Sequence, residues 1–271
     1  MAQKSEYDIE SRFELLTQQE KFLPKPNYHL SLGLDHPSVK KVIQIALKLT
    51  KEHRLINTEL LYNRAKKELQ IPKNGLKTII QLLLNKKVLV DRSRLTRQTV
   101  LNNQIRYELY LIIKTIIGVH FSLLKELISI QKDRDVGVGQ LNWHLEKLLK
   151  FNLIKKVKVK KFIIFLPIEI DKNNGILYFI LRDEINRRIV NFIFEQGITN
   201  RSEIHKRLKL KREKLYYRIK KLIEFNILSR FEDESSITIN PNKKNLLRDV
   251  LNNNLHRNLI PESNKLILMK A

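Results

Sequence analysis

Basic side chains gather in the last third of the sequence at a spacing that suits contact with phosphate groups. There Leu215, Ile219 and Leu222 form an apolar stripe of helical period, so the other side chains of that helix face outward. Those on the outward face and its flanks are mostly cationic or aromatic: Lys211, Arg212, Lys214, Tyr217, Arg218, Lys220 and Lys221. Ammonium and guanidinium groups neutralise phosphates, and such a face can enter a major groove. We therefore predict that this helix binds DNA.

A second set of candidate contacts lies upstream, in a helix and the hairpin that follows it. The helix presents Gln140, Trp143 and Lys147 at the positions equivalent to the outward residues above. Large aromatic side chains are normally buried, so we expect Trp143 to pack on a neighbouring module or under an adjacent loop rather than stack on a ligand. The hairpin places five lysines within residues 155–161, where they would set affinity and salt dependence without reading sequence. Four of them complete the predicted DNA-binding set: Lys156, Lys158, Lys160 and Lys161.

Residues expected of an enzyme or a metal site are missing from the sequence. The absence of cysteine excludes a thiolate nucleophile, an iron–sulfur cluster and any cysteine-containing zinc finger. Gly137-Val138-Gly139 lacks the Gly-Lys step that completes a phosphate-binding loop. The histidines are scattered, and His144, beside an apolar stripe, is expected to be a structural histidine with satisfied hydrogen bonds. We predict no catalytic site, no cofactor and no metal.

The charge balance favours a polyanionic partner. The 271 residues contain 52 Lys and Arg against 28 Asp and Glu, a formal net charge of +24. An AT-rich coding sequence would enrich lysine, but it would enrich glutamate as well, so the imbalance indicates selection. Residues 37–100 hold 15 bases and 4 acids, and residues 171–240 hold 15 and 10, so no single tail explains the surplus. Nucleic acid is the first candidate partner, and an acidic protein or anionic lipid is the second.

The sequence offers no candidate segment for membrane insertion or export. No stretch approaches the roughly 18 uninterrupted apolar residues of a membrane span. Residues 1–10 lack the basic-then-apolar pattern of a signal peptide. We expect a soluble, cytoplasmic protein that does not insert into membranes.

The candidate contacts are carried by three copies of one sequence pattern, which we name the first, middle and last copies in chain order. In the last copy the apolar stripe is followed by Asn226, Ile227 and Leu228. The same positions recur 74 residues earlier in the middle copy, at Leu141, Leu145, Leu148, Asn152, Leu153 and Ile154. They recur a further 65 residues earlier in the first copy, at Leu76, Ile80, Leu83, Lys87, Val88 and Leu89. The pattern predicts a helix, a short polar step and then a strand.

Each copy is preceded by two further predicted helices. The first of these is apolar-periodic and spans residues 39–51, 105–117 and 185–195. The second spans residues 58–69, 122–131 and 201–208, with Thr58, Ser122 and Asn200 as the expected N-caps. Hairpins follow in the middle copy over residues 153–167 and in the last copy over residues 227–240. The first copy has no obvious wing before Asp91.

Helix, short strand, helix, helix and hairpin is the element order of a winged helix. We therefore predict a mainly α fold with small β-hairpins, an α+β protein made of three tandem winged helix-turn-helix modules. An unrelated helical bundle with coincidental leucine spacing is the alternative. The predicted parts are an N-terminal extension at 1–36, a first module for packing or dimerisation at 37–100, a middle module at 101–170, a last module at 178–241, and a C-terminal amphipathic helix and tail at 242–271.

The sequence resembles the archaeal tandem winged-helix transcriptional regulators, relatives of the MarR-like antibiotic-resistance and ArsR-like arsenic-repressor types. The resemblance rests on Gly118-Val119-His120-Phe121 leading to Leu141-Asn142-Trp143-His144-Leu145, and on residues 215–222, which are similar to the third helix of such regulators. Residues 87–97 are similar to the segment that joins an N-terminal module to the next. The resemblance covers residues 37–240. It implies a dimeric regulator that binds double-stranded DNA.

One departure from this pattern is a five-residue insertion around residues 132–137, between the second and third helices of the middle module. We expect the longer turn to alter how the third helix meets a partner. At the C-terminus, Leu247, Leu251, Leu255 and Leu259 follow each other at helical spacing. They predict an amphipathic helix that seals the core of the last module or pairs with a second chain, and we expect the former.

The alternative function is a non-enzymatic interaction scaffold of winged helices that binds protein partners, resembling ESCRT-II subunits or accessory subunits of RNA polymerase. Two features favour it. The outward face of the first copy, at Thr78, Gln81 and Leu82, carries no charge. The predicted wing of the last module is acidic at residues 232–234, which disfavours a nearby phosphate.

Overall fold

The computed structural model describes residues 33–52, 54–132, 135–231 and 236–252. Within these ranges the protein is mainly helical with two small antiparallel sheets, which agrees with the predicted α+β class. Several predicted features lie outside the described residues: most of the N-terminal extension, the acidic residues 232–234, Leu255 and Leu259.

Over the described ranges the chain forms eleven α-helices and six strands. Helices α1 to α11 are Pro37–Lys51, Thr58–Glu68, Lys73–Asn85, Gln104–Thr115, Phe121–Lys132, Val138–Lys150, Lys172–Leu181, Glu184–Gln196, Arg201–Leu208, Arg212–Glu224 and Lys244–Asn252. Strands β1 to β6 are Val119–His120, Ile154–Val159, Phe162–Pro167, Ile198–Asn200, Leu228–Arg230 and Ser236–Ile239. Short 3-10 turns occupy Val100–Asn102 and Pro241–Lys243.

The described chain separates into two compact units. Unit 1 holds the described residues up to Ile112, together with Leu124–Lys156 and Pro167–Glu169. Unit 2 holds Ile113–Leu123, Val157–Leu166 and the described residues from Ile170 onward. The third helix of the middle copy, α6, therefore belongs to unit 1, and the tip of the hairpin that follows it belongs to unit 2.

In unit 1, α1, α2 and α3 bury one apolar face each around a common core. Its members from the three helices include Val42, Ala46, Leu49, Leu61, Ala65, Leu76, Ile80 and Leu83. The predicted stripe of the first copy is thus buried. Isolated bridges join Ile56 to Ser93 and Leu89 to Thr96. A short paired turn therefore lies around Asp91, where the sequence offered no obvious wing.

In unit 2, α8, α10 and the sheet β4-β6-β5 enclose the core of the last copy. Strand β6 pairs antiparallel with both neighbours, with Thr238 opposite Ile198 and Ser229. Leu215, Ile219 and Leu222 are buried there, as the stripe predicted. Leu247 and Val250 of α11 are buried in the same core. The C-terminal helix thus closes the core of the last copy, as expected.

Helix α7 is an element that the sequence analysis missed, and residue 178, the expected start of the last module, lies inside it. It packs closely on the sheet β1-β3-β2 through two glycines. A Cβ atom at Gly175 would lie 2.3 Å from a methyl group of Leu166, and one at Gly118, which has a φ of 79°, would lie 2.8 Å from the carbonyl oxygen of Gly175. The Arg182 guanidinium just after α7 donates to the Ile117 carbonyl at 3.0 Å. Burial lowers the pKa of Arg182 to about 10.

The third helices of the three copies have the same length and the same ends. Each of α3, α6 and α10 spans 13 residues. Each begins after an extended residue without a side-chain cap: Pro72, Gly137 and Lys211. Each is followed by a residue in the left-handed region, with φ between 54° and 56°: Lys87, Asn152 and Asn226. The amide of the next residue then bonds to the fifth carbonyl before it, as in Ile227 N to Leu222 O at 2.9 Å.

The expected N-caps of the second helices are only partly correct. Asn57, not Thr58, caps α2, because its side chain accepts from the amides of Glu59 and Leu60. Helix α5 begins at Phe121, so Ser122 lies inside it. Asn200 does cap α9, in a reciprocal capping box with Glu203. The carboxylate of Glu203 also accepts from Thr199, and these hydrogen bonds lower its pKa.

Replacing Asn226 by valine should destabilise unit 2. Asn226 is exposed and has a φ of 54°, so the substitution removes no core contact but forces a β-branched residue into the left-handed region. We expect a loss of about 1–2 kcal/mol in the free energy of unfolding, measured by urea titration. Asn226→Gly is the matched control and should retain the parent's stability. Equal midpoints for the two variants would contradict this account of the turn.

Candidate nucleic-acid interface

Helix α10 in unit 2 presents a continuous exposed face opposite its buried stripe. The exposed residues of the predicted set are Lys211, Arg212, Lys214, Tyr217 and Lys220. Tyr217 is 58% exposed, more than any other large hydrophobic side chain among the described residues. Because Leu215, Ile219 and Leu222 are buried, this face is fixed outward by the core beneath it. It offers four cations and a phenol hydroxyl to a ligand.

Two other predicted contacts on α10 already have partners within the protein. Arg218 Nη1 lies 2.8 Å from Asp183 Oδ2, and Asp183 also caps α8 by accepting from the Asn186 amide. Lys221 Nζ donates to Glu224 Oε2 at 3.0 Å, which raises the pKa of Lys221. These two side chains are held in place rather than freely extended.

Glu224 joins α10 to the tip of the hairpin β2–β3. Its carboxylate accepts from Lys160 as well as from Lys221. Lys160 is at the hairpin turn, with a φ of 53°, and its Nζ lies 4.7 Å from the ring centroid of Phe225. The hydrogen bond from Lys160, then that from Lys221, lowers the pKa of Glu224 to about 2. One carboxylate therefore holds two of the lysines predicted to meet phosphate.

The lysines of the hairpin differ in their exposure and in their contacts. Lys155 Nζ donates to the Ile168 carbonyl at 3.1 Å, so that cation is directed at the protein backbone. Lys156 and Lys158 are exposed, and they alternate along β2 with the buried Val157 and Val159. Lys161 is exposed at the turn, with its Nζ 5.4 Å from the Phe162 ring centroid. In this hairpin, Lys156, Lys158 and Lys161 are exposed and contact no carboxylate among the residues that the structure describes.

In unit 1, Trp143 on α6 stays partly exposed among the described residues, whereas we expected it to pack on a neighbouring module or under an adjacent loop. Its side chain is 49% exposed. Arg106 Cζ lies 5.6 Å from the ring centroid, and Lys147 Nζ lies 5.2 Å from it. Gln140, the third predicted contact of this helix, is exposed. The face of α6 therefore presents an aromatic ring flanked by two cations.

His144 is buried beneath this face. We had expected all its hydrogen bonds to be satisfied, and they are not. Only 3% of the residue is exposed, and its Nδ1 has no partner among the described residues. Burial, with a smaller contribution from the Arg106 charge, lowers the pKa of His144 to about 4. His144 is thus a neutral imidazole at neutral pH.

Tyr216 is a candidate contact that the sequence analysis missed. It is 48% exposed on α10, and Arg201 Cζ at the start of α9 lies 5.5 Å from its ring centroid. The sequence could have indicated that Tyr216 is exposed. It directly follows the buried Leu215 and lies four residues before Lys220, so it shares a helix face with that exposed lysine. Tyr216 and Arg201 extend the exposed face of α10 towards α9.

The first copy presents a different surface. Thr78 donates to the Asn74 carbonyl at 2.9 Å, and Gln81 donates to the Asn85 side chain at 2.9 Å. Leu82 is partly buried against the core of unit 1. A shallow groove here is lined by Lys77, Thr78, Gln81, Leu82 and Asn85. Lys77 is the single charged residue that lines this groove.

Metal-binding clusters and membrane-spanning helices can be assessed for the described parts of the chain. Among those residues no group of three or more His, Asp or Glu side chains is arranged to hold a metal ion. No helix in the same ranges has both the length and the apolar character to cross a membrane.

Comparison with known proteins gives one informative match. Over 143 residues the chain is 32% identical to a protein of Methanocaldococcus jannaschii described as an uncharacterized HTH-type transcriptional regulator. The match covers 53% of this chain and 34% of that relative, so the aligned part is about a third of the relative's length. No family model matches the chain, and no solved structure matches it.

Replacing Glu224 by glutamine should strengthen binding to a short DNA duplex. The substitution removes the anion that competes with phosphate for Lys160 and Lys221. We expect affinity at low salt to rise about two- to tenfold, and the salt slope to steepen by about 0.9 for each lysine that turns to phosphate. Fluorescence anisotropy at several salt concentrations measures both.

The matched control for this prediction is Glu195→Gln, which makes the same charge change at an exposed position of α8. It should raise affinity less and leave the salt slope unchanged. If the two variants behave alike, the gain reflects net charge rather than release of the two lysines.

Unit 1 should lose stability in mild acid because of His144. In the unfolded chain the pKa of histidine is about 6.5, and in the fold it is about 4, so the unfolded state binds the proton first. Stability should therefore fall by roughly 2 kcal/mol as pH drops from about 6.5 to about 4.5. His144→Leu should remove most of this decline in urea unfolding. A ring-proton resonance of His144, assigned by its absence from the His144→Leu spectrum, that titrates near pH 6.5 in the folded protein would refute the assignment.

Proposed function

We propose that the chain is a DNA-binding transcriptional regulator built from tandem winged-helix modules. The observation that carries the proposal is the exposed cationic face of α10, which stands at the position a recognition helix holds in a helix-turn-helix unit. Residues 184–239 have the element order helix, strand, helix, helix, hairpin, and the sheet order β4-β6-β5. A recognition helix of this kind lies in the major groove of double-stranded DNA.

In the proposed mechanism, the exposed lysines of α10 neutralise phosphates while Tyr217 faces the base edges. Arg218 and Lys221 are fixed by Asp183 and Glu224, so their position is set before DNA arrives. The hairpin lysines 156, 158 and 161 extend the cationic surface of the middle copy. Such phosphate contacts give affinity and register, and base contacts give sequence preference.

The repeat supports three modules. The third helices α3, α6 and α10 share length, N-cap geometry and the left-handed residue after their C-terminal turn. We propose the boundaries 37–100, 101–170 and 178–241, with α6 as a second DNA-contacting helix through Gln140, Trp143 and Lys147. The similarity to a helix-turn-helix regulator supports this class of function. A homodimer would place two such sets of helices on one operator.

The first copy has a different proposed role, in packing, dimerisation or contact with another protein. Two of its outward polar residues, Thr78 and Gln81, have hydrogen-bond partners within α3. The groove beside them contains a single charged residue, Lys77. This observation also favours the alternative function, a winged-helix scaffold that binds protein partners. In that case duplex DNA should fail to bind even at low salt.

Removing three exposed lysines of α10 should weaken binding to all duplex sequences. The variant replaces Lys211, Lys214 and Lys220 by alanine, and each of these residues is exposed. We expect the salt slope to fall by about 0.9 for each lysine lost. Anisotropy titrations against a random duplex and a selected duplex measure the change.

The control replaces Lys51, Lys66 and Lys67, three exposed lysines of the first copy, by alanine. It removes the same charge from a surface to which we assign no DNA contact, and it should leave the slope near that of the parent. An equal loss in both triple variants would show that binding follows net charge and not the face of α10.

A further inference from the structure

One pair of side chains recurs on the outward faces of two different third helices. Trp143 of α6 and Tyr217 of α10 hold the same repeat position, and each is followed four residues later by a lysine. Lys147 Nζ lies 5.2 Å from the Trp143 ring centroid, and Lys221 Nζ lies 5.5 Å from the Tyr217 ring centroid. Both rings remain about half exposed, at 49% and 58%. The arrangement is thus the same in two units whose other outward residues differ.

The fold of a third helix does not require this pair. In the first copy the equivalent residues are Thr78 and Leu82, and α3 has the same length and ends as α6 and α10. A half-exposed aromatic ring also loses part of the favourable free energy of burial. The pair therefore belongs to what the middle and last copies do, and not to how they fold.

The chemistry of the major groove identifies the group that such a ring would meet. The inference rests on the proposed function, in which these faces lie against base edges. A ring on a helix in the groove cannot reach the faces of stacked bases. The apolar group that the groove presents is the C5 methyl of thymine. A lysine over the ring restricts its orientation by a cation–π contact and keeps an ammonium group beside it.

We propose that Trp143 and Tyr217 determine sequence specificity by packing on thymine methyl groups, one ring in each of two recognition helices. Lys147 and Lys221 are positioning residues that orient the rings. Each helix then prefers thymine at one position of its site. Guanine or cytosine at that position, and uracil, leave the ring without a methyl group to cover.

The test compares thymine with deoxyuridine, which differ only by the methyl group. The full chain first enriches a duplex from a random pool, and each thymine of that duplex is then replaced singly by deoxyuridine. We expect two groups of positions at which the replacement weakens binding about fourfold per methyl group. Tyr217→Ala should abolish the effect in one group, and Trp143→Ala in the other. Each variant is measured on the thymine duplex and on its deoxyuridine counterpart. A general loss of affinity therefore cancels in the ratio of the two dissociation constants.

Tyr216→Ala controls for the loss of an exposed tyrosine on the same helix outside the repeat position. Any affinity that Tyr216 contributes is lost equally on the thymine and deoxyuridine duplexes. Tyr216→Ala should retain the full methyl effect in both groups. Enrichment of a duplex without thymine, a methyl effect that survives both ring variants, or one that Tyr216→Ala also removes would overturn the inference while leaving DNA binding intact. Failure of the parent to bind any duplex at low salt would overturn the proposed function as well.

Discussion

The surface of this protein depends on how each third helix is anchored at its C-terminal end. A buried stripe on the helix and the apolar pair that follows it enter the same core, and only a sharp reversal of the chain between them allows both. The reversal is made by Lys87, Asn152 and Asn226, each in the left-handed region. Because both sides of the turn are buried, the helix cannot rotate about its axis. The outward face is therefore set by the core, whatever residues occupy it.

Acidic residues are few on this basic chain, and two of them organise the cations beside them. Asp183 caps α8 and pairs with Arg218, while Glu224 holds Lys160 and Lys221 together. Each of these carboxylates lies at or near a helix end, where it links elements that are distant in the sequence. Like charges on the hairpin and on α10 repel one another, and Glu224 offsets that repulsion where they meet. If Lys160 and Lys221 bind phosphate as we propose, Glu224 competes for them, so the pairing that orders the two lysines also lowers the positive charge available to a ligand.

Local periodicity was enough to predict every described helix except α7, together with the buried faces of the third helices. The stripes of all three copies are buried as expected, and the bounds of the third helices differ from the pattern by a few residues only. Helix α7 escaped because residues 175–181 are almost uniformly apolar or aromatic, so no outward face marks them as amphipathic. The partners of Lys160, Arg218 and Lys155 were out of reach because each contact joins residues far apart in the sequence. Whether a given lysine is free or paired is a tertiary property that spacing alone does not encode.

The insertion before α6 leaves the backbone at the start of that helix similar to that of α10. It lengthens the turn between α5 and α6, yet Gly137 begins α6 with φ and ψ of −59° and 141°, close to the −58° and 136° of Lys211 before α10. Of the described residues in the insertion, Asp135 pairs with Lys125 and Val136 is buried. The effect of the longer turn on how α6 meets a partner stays a prediction. Where the copies share a frame to this degree, we expect their binding preferences to differ through the outward side chains themselves. In α3 these are mostly uncharged apart from Lys73 and Lys77, in α6 they are aromatic with flanking cations, and in α10 they are densely cationic.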